Sequence, residues 1–463
     1  MGLEGAPAAR GRGARSRRSR PMTSPVSRSV GGMSTTDDYV FRTFPARAPG
    51  EDQHDATRAW LQADAQGFHD SRLGDASLDR SATNLANDHQ QLTAVYTTSP
   101  RPSALGADVP VATFASFERS INVGGAVPLP AHLISSITVR PTHRRHGILR
   151  RMMTDDLRSA HEAGYAVAAL TVTEATIYRR FGFGPATTVH EVTVTTDQRF
   201  RLLTPASGHT ELIDPATLLT LSPEVFAGFH RVRPGSVDRH HRYPGRVSGL
   251  DGPNGEEDRT VRAAAHYDES GAIDGYVSYR FLGWDTRPHT LEVVDLVATT
   301  DAAYLGLWEF LGSVDLIERV RYDAAPADDP LRWALVDPRL IETRDVVDWL
   351  WMRVLDVRAA FEARGYTADA AGEVVLSVTD ALGYAQGAFR LRVADGRAVV
   401  EAADRSQAEL ELDVWVLGTL YLGGVDPAVL AAAGQLHEVA PGAVSRLRTL
   451  LRPVAPVHGI THF

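Results

Sequence analysis

The sequence predicts a mixed α/β (α+β) protein that is divided into several domains. Its 463 residues exceed what one hydrophobic core usually organises. Between residues 134 and 173, a β-branched strand leads through a short turn into an amphipathic helix, which an apolar strand follows. Two strands and a helix return in a similar order between 276 and 313. This repetition indicates two related α/β domains.

Elements of the first predicted domain, 36–182, are identified by helical or alternating spacing of their apolar residues. They are a helix at 56–68, strands at 92–97, 109–116 and 134–139, a helix at 148–163 and a buried strand at 166–173. In the second predicted domain, 183–345, the same criteria give strands at 188–195, 276–280 and 291–298 and a helix at 302–313.

The third predicted domain, 346–463, begins with an amphipathic helix at 349–364 that Gly365 closes. Alternating apolar residues then indicate a small sheet, and Asp395-Gly396 is typical of a hairpin turn. Its predicted elements are strands at 374–378, 388–393, 398–402 and 410–416, and helices around 426–434 and 442–451.

Composition excludes several classes of protein. The chain has 43% hydrophobic and 23% charged residues, which is typical of globular proteins. No apolar run reaches the length of a membrane span and no signal-peptide core is present, so we predict a cytoplasmic protein without a membrane partner. Cysteine is absent, which rules out disulfides, thiolate metal sites and a thiol acyl-enzyme. We expect no metal cofactor.

Charge is distributed unevenly along the chain. Residues 1–33 hold seven arginines and one acid, Glu4, so this segment carries a charge of +6. Because the whole chain carries −9, the remainder carries −15. The predicted extension, 1–35, lacks periodic apolar residues and is expected to be disordered. It is either a tether for nucleic acid or membrane, or upstream sequence, with Met33 as the true first residue. The acidic remainder argues against a nucleic-acid partner and suits cationic amines.

The turn after the strand 134–139 has the features of an anion site. A glycine turn that leads from a strand into a helix gathers unpaired N–H groups at the positive end of the helix dipole. Its arginines favour a phosphate or pyrophosphate, although a basic helix start on a solvated face is the alternative. The P-loop and dinucleotide spacings are absent. The turn and helix start consist of Arg144, Arg145, His146, Gly147, Ile148, Leu149 and Arg150.

The spacing Arg144-x-x-Gly147-x-Leu149 resembles the [QR]-x-x-G-x-[GA] signature of the GCN5-related N-acetyltransferases (GNAT). Leu149 departs from the small residue that is usual there. In that family the turn holds the pyrophosphate of coenzyme A, and the preceding strand offers its backbone to the pantetheine arm. The strand residues that this resemblance implies are Ile137, Thr138 and Val139.

A second motif follows the buried strand 166–173. Tyr178 lies three residues before Phe181-Gly-Phe183 on a short predicted helix. When an amine attacks a thioester, the departing thiolate needs a proton, and a phenol with a pKa near 10 can supply it. The alternative is an aromatic residue that only packs the helix on the sheet. The anion turn at the expected distance upstream favours the catalytic role.

Beyond these motifs, the chain resembles the enhanced intracellular survival (Eis) family of actinobacterial acetyltransferases from about residue 38 to Phe463. The resemblance implies a catalytic GNAT domain at 36–182, a degenerate second GNAT domain at 183–345 and a sterol-carrier-protein-2-like domain at 346–463. It also implies a homo-oligomer, a hexamer. The stretches that carry it are 141–150, 168–170, 177–187, 350–353, 363–366 and 417–423.

The resemblance extends to individual residues. It implies that the C-terminal carboxylate, here that of Phe463, is the base that deprotonates the amine, and that Thr173 and Glu174 lie under the thioester end of acetyl-coenzyme A. His462 and Ser136 depart from the family, in which an acid and an aromatic residue are usual. The turn 299–302 of the second copy has a carboxylate and neither glycine nor arginine, so we expect this copy to bind no coenzyme.

We therefore predict an acetyl-coenzyme A-dependent N-acetyltransferase that acts by direct transfer in a ternary complex. Small polycationic amines, with aminoglycosides as the class implied by the resemblance, are the predicted acceptors. A protein or peptide lysine acetyltransferase is one alternative. A non-catalytic module that binds a lipid or a partner through its third domain is another.

Overall fold

The computed structural model describes residues 38–172, 174–252 and 256–463. The predicted extension, 1–35, and the predicted site residue Thr173 lie outside the described residues. The described chain forms two sheets of seven strands and one of five, with helices packed on them. The predicted mixed α/β fold class is thereby confirmed. None of the helices in the described ranges is long and apolar enough to cross a bilayer.

Residues 39–185 supply the first group of elements. The predicted strands and helices of this region are found, with ends that differ by a few residues. The strands are β1 (Tyr39–Pro45), β2 (Gln91–Thr97), β3 (Ala112–Ile121), β4 (Leu129–Val139), β5 (Val167–Thr171) and β6 (Gly184–Pro185). The helices are α1 (His54–Gly67), α2 (Asp75–Asn87), α3 (Ile148–Glu162) and α4 (Ala175–Tyr178).

Residues 188–348 form the second group. Its strands are β7 (Thr188–Thr195), β8 (His209–Ile213), β9 (Val261–Tyr267), β10 (Ile273–Phe281), β11 (Thr290–Ala298), β12 (Arg319–Ala325) and β13 (Ile341–Asp348). Its helices are α5 (Leu218–Val232), α6 (Tyr243–Val247), α7 (Asp301–Gly312) and α8 (Leu331–Ala334).

The remaining elements lie between residues 350 and 450. The strands are β14 (Leu350–Val354), β15 (Gly372–Thr379), β16 (Gly387–Ala394), β17 (Arg397–Ala402), β18 (Leu410–Asp413) and β19 (Leu436–Glu438). The helices are α9 (Val357–Ala363), α10 (Val414–Leu420), α11 (Pro427–Ala432) and α12 (Ala443–Leu450). Asp395 and Gly396 both have positive φ, as the predicted hairpin turn requires.

The first two sheets share one topology. In the first, β1 to β4 are antiparallel neighbours, and helix α3 leads from β4 to the parallel strand β5. In the second, β8 to β11 are antiparallel neighbours, and helix α7 leads from β11 to the parallel strand β12. The repetition seen in the sequence is therefore a repetition of fold.

A strand exchange links the two sheets. β14, which comes after the second sheet in the chain, pairs with β5 and β6 of the first sheet. β7, which comes before the rest of the second sheet, pairs with β12 and β13. The predicted limits 36–182, 183–345 and 346–463 are thus crossed by β14, which completes the first sheet from beyond residue 345.

Two predicted elements of the third region are wrong. The helix predicted at 349–364 is the strand β14 followed by the shorter helix α9. All five residues of β14 are buried, because the strand lies between β5 and β6, and this pairing overrides the local helical pattern. The strand predicted at 410–416 ends at Asp413, whose carboxylate accepts a hydrogen bond from the Trp415 N–H and begins helix α10.

A buried ion pair fixes β14 to the third sheet. The guanidinium of Arg353 donates to both carboxylate oxygens of Asp380 at 2.8 and 2.9 Å, and both side chains are essentially inaccessible to solvent. Gly182 of the Phe-Gly-Phe motif lies against this pair, since a Cβ at that position would be 1.6 Å from Arg353 Nη1. The glycine of the motif therefore serves the packing between the first and third regions.

Replacement of Asp380 by asparagine should lower the free energy of unfolding by about 3–5 kcal/mol, because it leaves the buried Arg353 charge without a counter-charge. Urea denaturation followed by tryptophan fluorescence would measure the loss. The matched control is Asp369→Asn, which breaks an exposed pair with Arg452 and should change stability little. Equal effects of the two variants would contradict a stabilising role for the buried pair.

Candidate active site

A gap opens in the first sheet where β4 and β5 separate. The two strands pair in parallel only from His132 opposite Ala168 to Ile134 opposite Leu170. Past this point β4 bulges away, with Ser136 at a φ of 52°. The far edge of β4 still pairs with β3 at Thr138 and Val139. No described strand pairs with the near edge of residues 137–139, so this edge is available to hydrogen-bond an extended ligand.

The turn between β4 and α3 is shaped by two left-handed residues. A 3-10 turn at Pro141–His143 is followed by Arg145 with φ 68° and by Gly147 with φ 80°. Gly147 begins α3 and supplies no side-chain cap. The first N–H groups of this 15-residue helix are therefore left for an external acceptor, which is the condition for anion binding.

A cavity of about 790 Å³ occupies this gap, and we call it the coenzyme cavity because residues predicted to bind coenzyme A line it. Most of the predicted coenzyme residues line it. His146 does not, because its ring lies beside Tyr39 with the centroids 5.9 Å apart. The predicted residues on the cavity wall are Ile137, Thr138, Val139, Arg144, Arg145, Gly147, Ile148, Leu149, Arg150, Glu174 and Tyr178.

Several residues on the cavity wall were not predicted as site residues. The end of α1 crosses β4 so closely that a Cβ on Gly67 would be 2.4 Å from the Thr138 Cβ. No spacing rule links these two positions. In the sequence, only the glycine near the end of the predicted helix is compatible with such a close approach of two backbones. The missed residues are Gly67, Phe68, His69, His143, Ile177, Arg180 and Phe181.

In the second sheet, the turn between β11 and α7 corresponds to the turn between β4 and α3, but the N-terminus of its helix is capped by a side chain. Thr300 precedes α7, and its hydroxyl oxygen accepts a hydrogen bond from the Ala303 N–H at 3.0 Å. The same hydroxyl donates to Asp274 at 2.7 Å. The N-terminus of α7 is thus capped within the chain and has carboxylates at Asp274 and Asp301. This arrangement favours the prediction that the second copy binds no coenzyme.

Tyr178 lines the coenzyme cavity, and its ring belongs to the core of the first domain. Burial, followed by the nearby Glu174 carboxylate, raises the pKa of its phenol to about 12. Among the described residues none hydrogen-bonds its hydroxyl. The phenol is therefore protonated at neutral pH and free to donate to a ligand.

This pKa leads to a prediction for the pH dependence of turnover. An acid that must be protonated loses activity only as the pH rises through its pKa, which lies at about 12 for Tyr178. We expect kcat to stay level between about pH 8 and 10, whereas an ordinary tyrosine with a pKa of about 10 would already halve it at the upper limit. A decline in kcat centred near pH 9 would contradict the assignment, provided that circular dichroism shows an intact fold.

The C-terminus is anchored inside the molecule at the end of β5. A terminal oxygen of Phe463 accepts a hydrogen bond from the Thr171 hydroxyl at 2.5 Å. The Phe463 ring packs edge-on against Phe117, with centroids 5.8 Å apart. Thr171 is the last residue of β5, where that strand has left β4. The terminal carboxylate therefore lies at the end of β5, and among the described residues it makes no hydrogen bond to Tyr178.

Residues just before the terminus are held by the second domain. The Tyr243 hydroxyl accepts from the His462 N–H at 2.7 Å and lies 3.2 Å from the His462 carbonyl oxygen. Thr461 donates through its hydroxyl to the Val237 carbonyl at 2.6 Å, and its own carbonyl accepts from the Trp349 indole at 3.0 Å. Because these partners are far from the terminus in the sequence, the position of Phe463 depends on the fold of the chain around them.

Asp64 is a further titratable group that the sequence reasoning missed. It lies on α1, with its carboxylate 3.2 Å from the Thr113 hydroxyl, which in turn contacts the carbonyl of Ser136 at the β4 bulge. Burial raises the pKa of Asp64 to about 7. A carboxyl group with this pKa exchanges its proton close to neutral pH.

A second cavity, of about 900 Å³, lies on the other side of the loop that follows α1. Residues 67–69 line the coenzyme cavity, and the next residues, 70–74, line this one. Parts of the second domain and the C-terminal residues Ile460 and His462 complete its wall. We call it the acceptor cavity, because it adjoins the coenzyme cavity and reaches the end of the chain. Within the described ranges, no group of three acidic or histidine side chains is placed to hold a metal ion.

Comparison with known proteins gives three family matches, one in each region of the chain. Residues 53–186 match the model of an acetyltransferase (GNAT) domain, and residues 235–358 match a second GNAT domain model. Residues 357–459 match the model of a sterol carrier protein domain. The three predicted domain types are thereby confirmed, in the predicted order.

Relatives include an uncharacterised N-acetyltransferase of Streptomyces avermitilis, 39% identical over 74% of this chain and 83% of its own length. The N-acetyltransferase Eis of Mycobacterium tuberculosis is 36% identical over 74% of this chain and 83% of its own. Among solved structures, Eis1 from Mycobacterium abscessus has 27% identity and a TM-score of 0.73, covering 92% of this chain and 100% of that one. A GCN5-related N-acetyltransferase from Anabaena variabilis, at 21% identity and TM-score 0.73, shares the fold.

Proposed function

This chain belongs to the Eis family of GCN5-related N-acetyltransferases, and from this premise we propose that it transfers the acetyl group of acetyl-coenzyme A directly to the amine of a small molecule within a ternary complex. The observation that carries the proposal is the convergence of three features in one gap. They are an uncapped helix N-terminus, an unpaired strand edge and a protonated phenol.

Each group of residues around the gap has a separate role in the proposed reaction. The N-terminus of α3 and the arginines before it bind the pyrophosphate, and the free edge of residues 137–139 binds the pantetheine arm. The amine nitrogen forms a bond to the acetyl carbon as the carbon–sulfur bond breaks. The Phe463 carboxylate takes the proton from the amine, and Tyr178 gives its proton to the departing sulfur. Solvent then takes the proton from the Phe463 carboxyl group and gives one to the Tyr178 phenolate, which restores both groups.

Absence of a covalent intermediate is part of the proposal. The chain has no cysteine to form a thiol acyl-enzyme, and two cavities lined by consecutive residues of one loop are available for the donor and the acceptor. In the proposed mechanism both substrates are bound at once, one in each cavity, and the amine attacks the thioester without an acyl-enzyme. Initial-rate patterns with both substrates varied should intersect, as they do for a ternary complex.

Small polycationic amines, aminoglycosides among them, are the acceptors that the family resemblance implies, and peptide lysine is the alternative. The experiment is release of coenzyme A thiol from acetyl-coenzyme A with a panel of aminoglycosides, simple amines and lysine peptides. The protein adds no thiol background, since it has no cysteine. Release with any small amine supports the proposal. Coenzyme binding without release on any amine would favour the non-catalytic module instead.

A further inference from the structure

The hydroxyl group of Thr113, on β3, contacts three other oxygen atoms around the β4 bulge. It lies 3.2 Å from the Asp64 carboxylate, 3.0 Å from the Ser136 carbonyl oxygen and 2.7 Å from the Thr138 hydroxyl. Thr113 is inaccessible to solvent, and Thr138 is also buried. Because water does not reach it, the Thr113 hydroxyl has to satisfy its hydrogen bonds with these three groups.

The number of hydrogen atoms in this cluster depends on the protonation state of Asp64. A threonine hydroxyl donates one hydrogen and accepts up to two. The Ser136 carbonyl can only accept, and so can an ionised Asp64, so both compete for the single Thr113 hydrogen. A protonated Asp64 donates to Thr113 instead, and the Thr138 hydroxyl can do the same. Thr113 then gives its own hydrogen to Ser136, and all three contacts are hydrogen bonds.

Asp64 can change its protonation state near neutral pH. Burial raises its pKa to about 7, although hydrogen bonding with Thr113 and Ser136 favours the ionised form. Two charged groups of the acceptor cavity wall act on it with opposite signs. Asp70, in the loop after α1, raises the pKa, and Arg242, which directly precedes α6, lowers it. Both forms of the Asp64 carboxyl are therefore populated around pH 7, a value that follows from the pKa of about 7.

The β4 bulge carries the strand edge that lines the coenzyme cavity. Ser136 has a φ of 52°, which L-residues rarely adopt, so its conformation depends on the contacts around it. Residues 137–139 follow directly, and their near edge is available to the pantetheine arm. Thr138 contacts the Thr113 hydroxyl, and Gly67 of α1 lies against its side chain. A change in the hydrogen bonds of Thr113 is therefore transmitted to the wall of the coenzyme cavity.

Granted that this cavity binds coenzyme A, as the proposed function requires, we propose that Asp64 is a positioning residue whose protonated form holds the β4 bulge in the conformation that accepts the pantetheine arm. An ionised Asp64 takes the Thr113 hydrogen from the Ser136 carbonyl, and the bulge loses a bond that fixes it. Coenzyme affinity is then full below the pKa of Asp64 and falls as the pH rises through it.

The test is the dissociation constant of coenzyme A, measured by isothermal titration calorimetry at about pH 6 and about pH 8. If only the protonated form binds, the constant of the native chain should rise about tenfold, because about a tenth of the Asp64 groups stay protonated one unit above a pKa of about 7. In Asp64→Asn the amide can donate to Thr113 at every pH, so this rise should be absent. The coenzyme phosphate and His143 of the cavity wall titrate in both proteins, so the difference between the two proteins reports on Asp64.

Two further variants separate the hydroxyl cluster from a general effect of charge. Thr113→Val removes the shared hydroxyl, so it should bind coenzyme A more weakly than the native chain at about pH 6 and show no tenfold rise. Asp55→Asn, which removes an exposed carboxylate from the same helix α1, should keep the rise. A rise of native size in Asp64→Asn or in Thr113→Val would overturn the inference and leave the proposed function intact. If the native chain binds no coenzyme A at either pH, the proposed function fails, and the inference fails with it.

Discussion

Adding a single alanine after Phe463 is expected to lower kcat by a factor of about 10²–10⁴. The added residue moves the terminal carboxylate away from the position where the Thr171 hydroxyl now binds it. An α-carboxyl group is ionised at neutral pH and can therefore accept a proton from the attacking amine. Turnover would be followed by thiol release at saturating acetyl-coenzyme A.

Two comparisons separate loss of the base from loss of docking. Phe463→Leu keeps the carboxylate but weakens the contact with the Phe117 ring, so it should lose much less activity than the extended chain. Asp64→Asn removes the other nearby carboxyl that can exchange a proton near neutral pH. Full activity of the extended chain, together with inactivity of Asp64→Asn, would transfer the role of base from Phe463 to Asp64.

Those parts of the site that lie within a short stretch of sequence were predictable. The strand end, the glycine turn and the start of α3 form one local unit, and the Tyr178 helix is another. Their residue types and spacing report directly on backbone conformation and chemistry, as the positive φ of Gly147 illustrates. Only His146 among the described turn residues points away from the cavity, because its ring packs beside Tyr39, far away in the sequence.

Features that depend on pairing between distant segments were not predictable. The sequence Leu-Trp-Met-Arg-Val of β14 fits a buried helix or a buried strand equally well, and only the free edge of β5 decides between them. The acceptor cavity combines Arg72 of the first domain with Arg242 of the second and His462 of the terminus. No spacing rule connects such residues, so their proximity is visible only in the folded chain.

Replacement of Tyr178 by phenylalanine should lower kcat by about 10²–10⁴-fold while binding of acetyl-coenzyme A stays within a few-fold of the native value. The ring keeps its place in the core, and the hydroxyl has no hydrogen bond among the described residues, so the fold loses nothing. The burial that raises the pKa of the phenol also disfavours a free thiolate. The departing sulfur therefore takes a proton more readily in this cavity than it would in water.

The matched control is Tyr165→Phe. Tyr165 belongs to the same domain, burial likewise raises its pKa to about 12, and its hydroxyl donates to Glu118 at 2.6 Å, yet it lies outside both cavities. We expect this variant to keep native turnover. If Tyr178→Phe were equally active, the sulfur would leave without help from a protein acid, and the raised pKa of Tyr178 would reflect only its burial. If Tyr178→Phe loses turnover and Tyr165→Phe does not, the proton for the departing sulfur comes from Tyr178, which lines the coenzyme cavity.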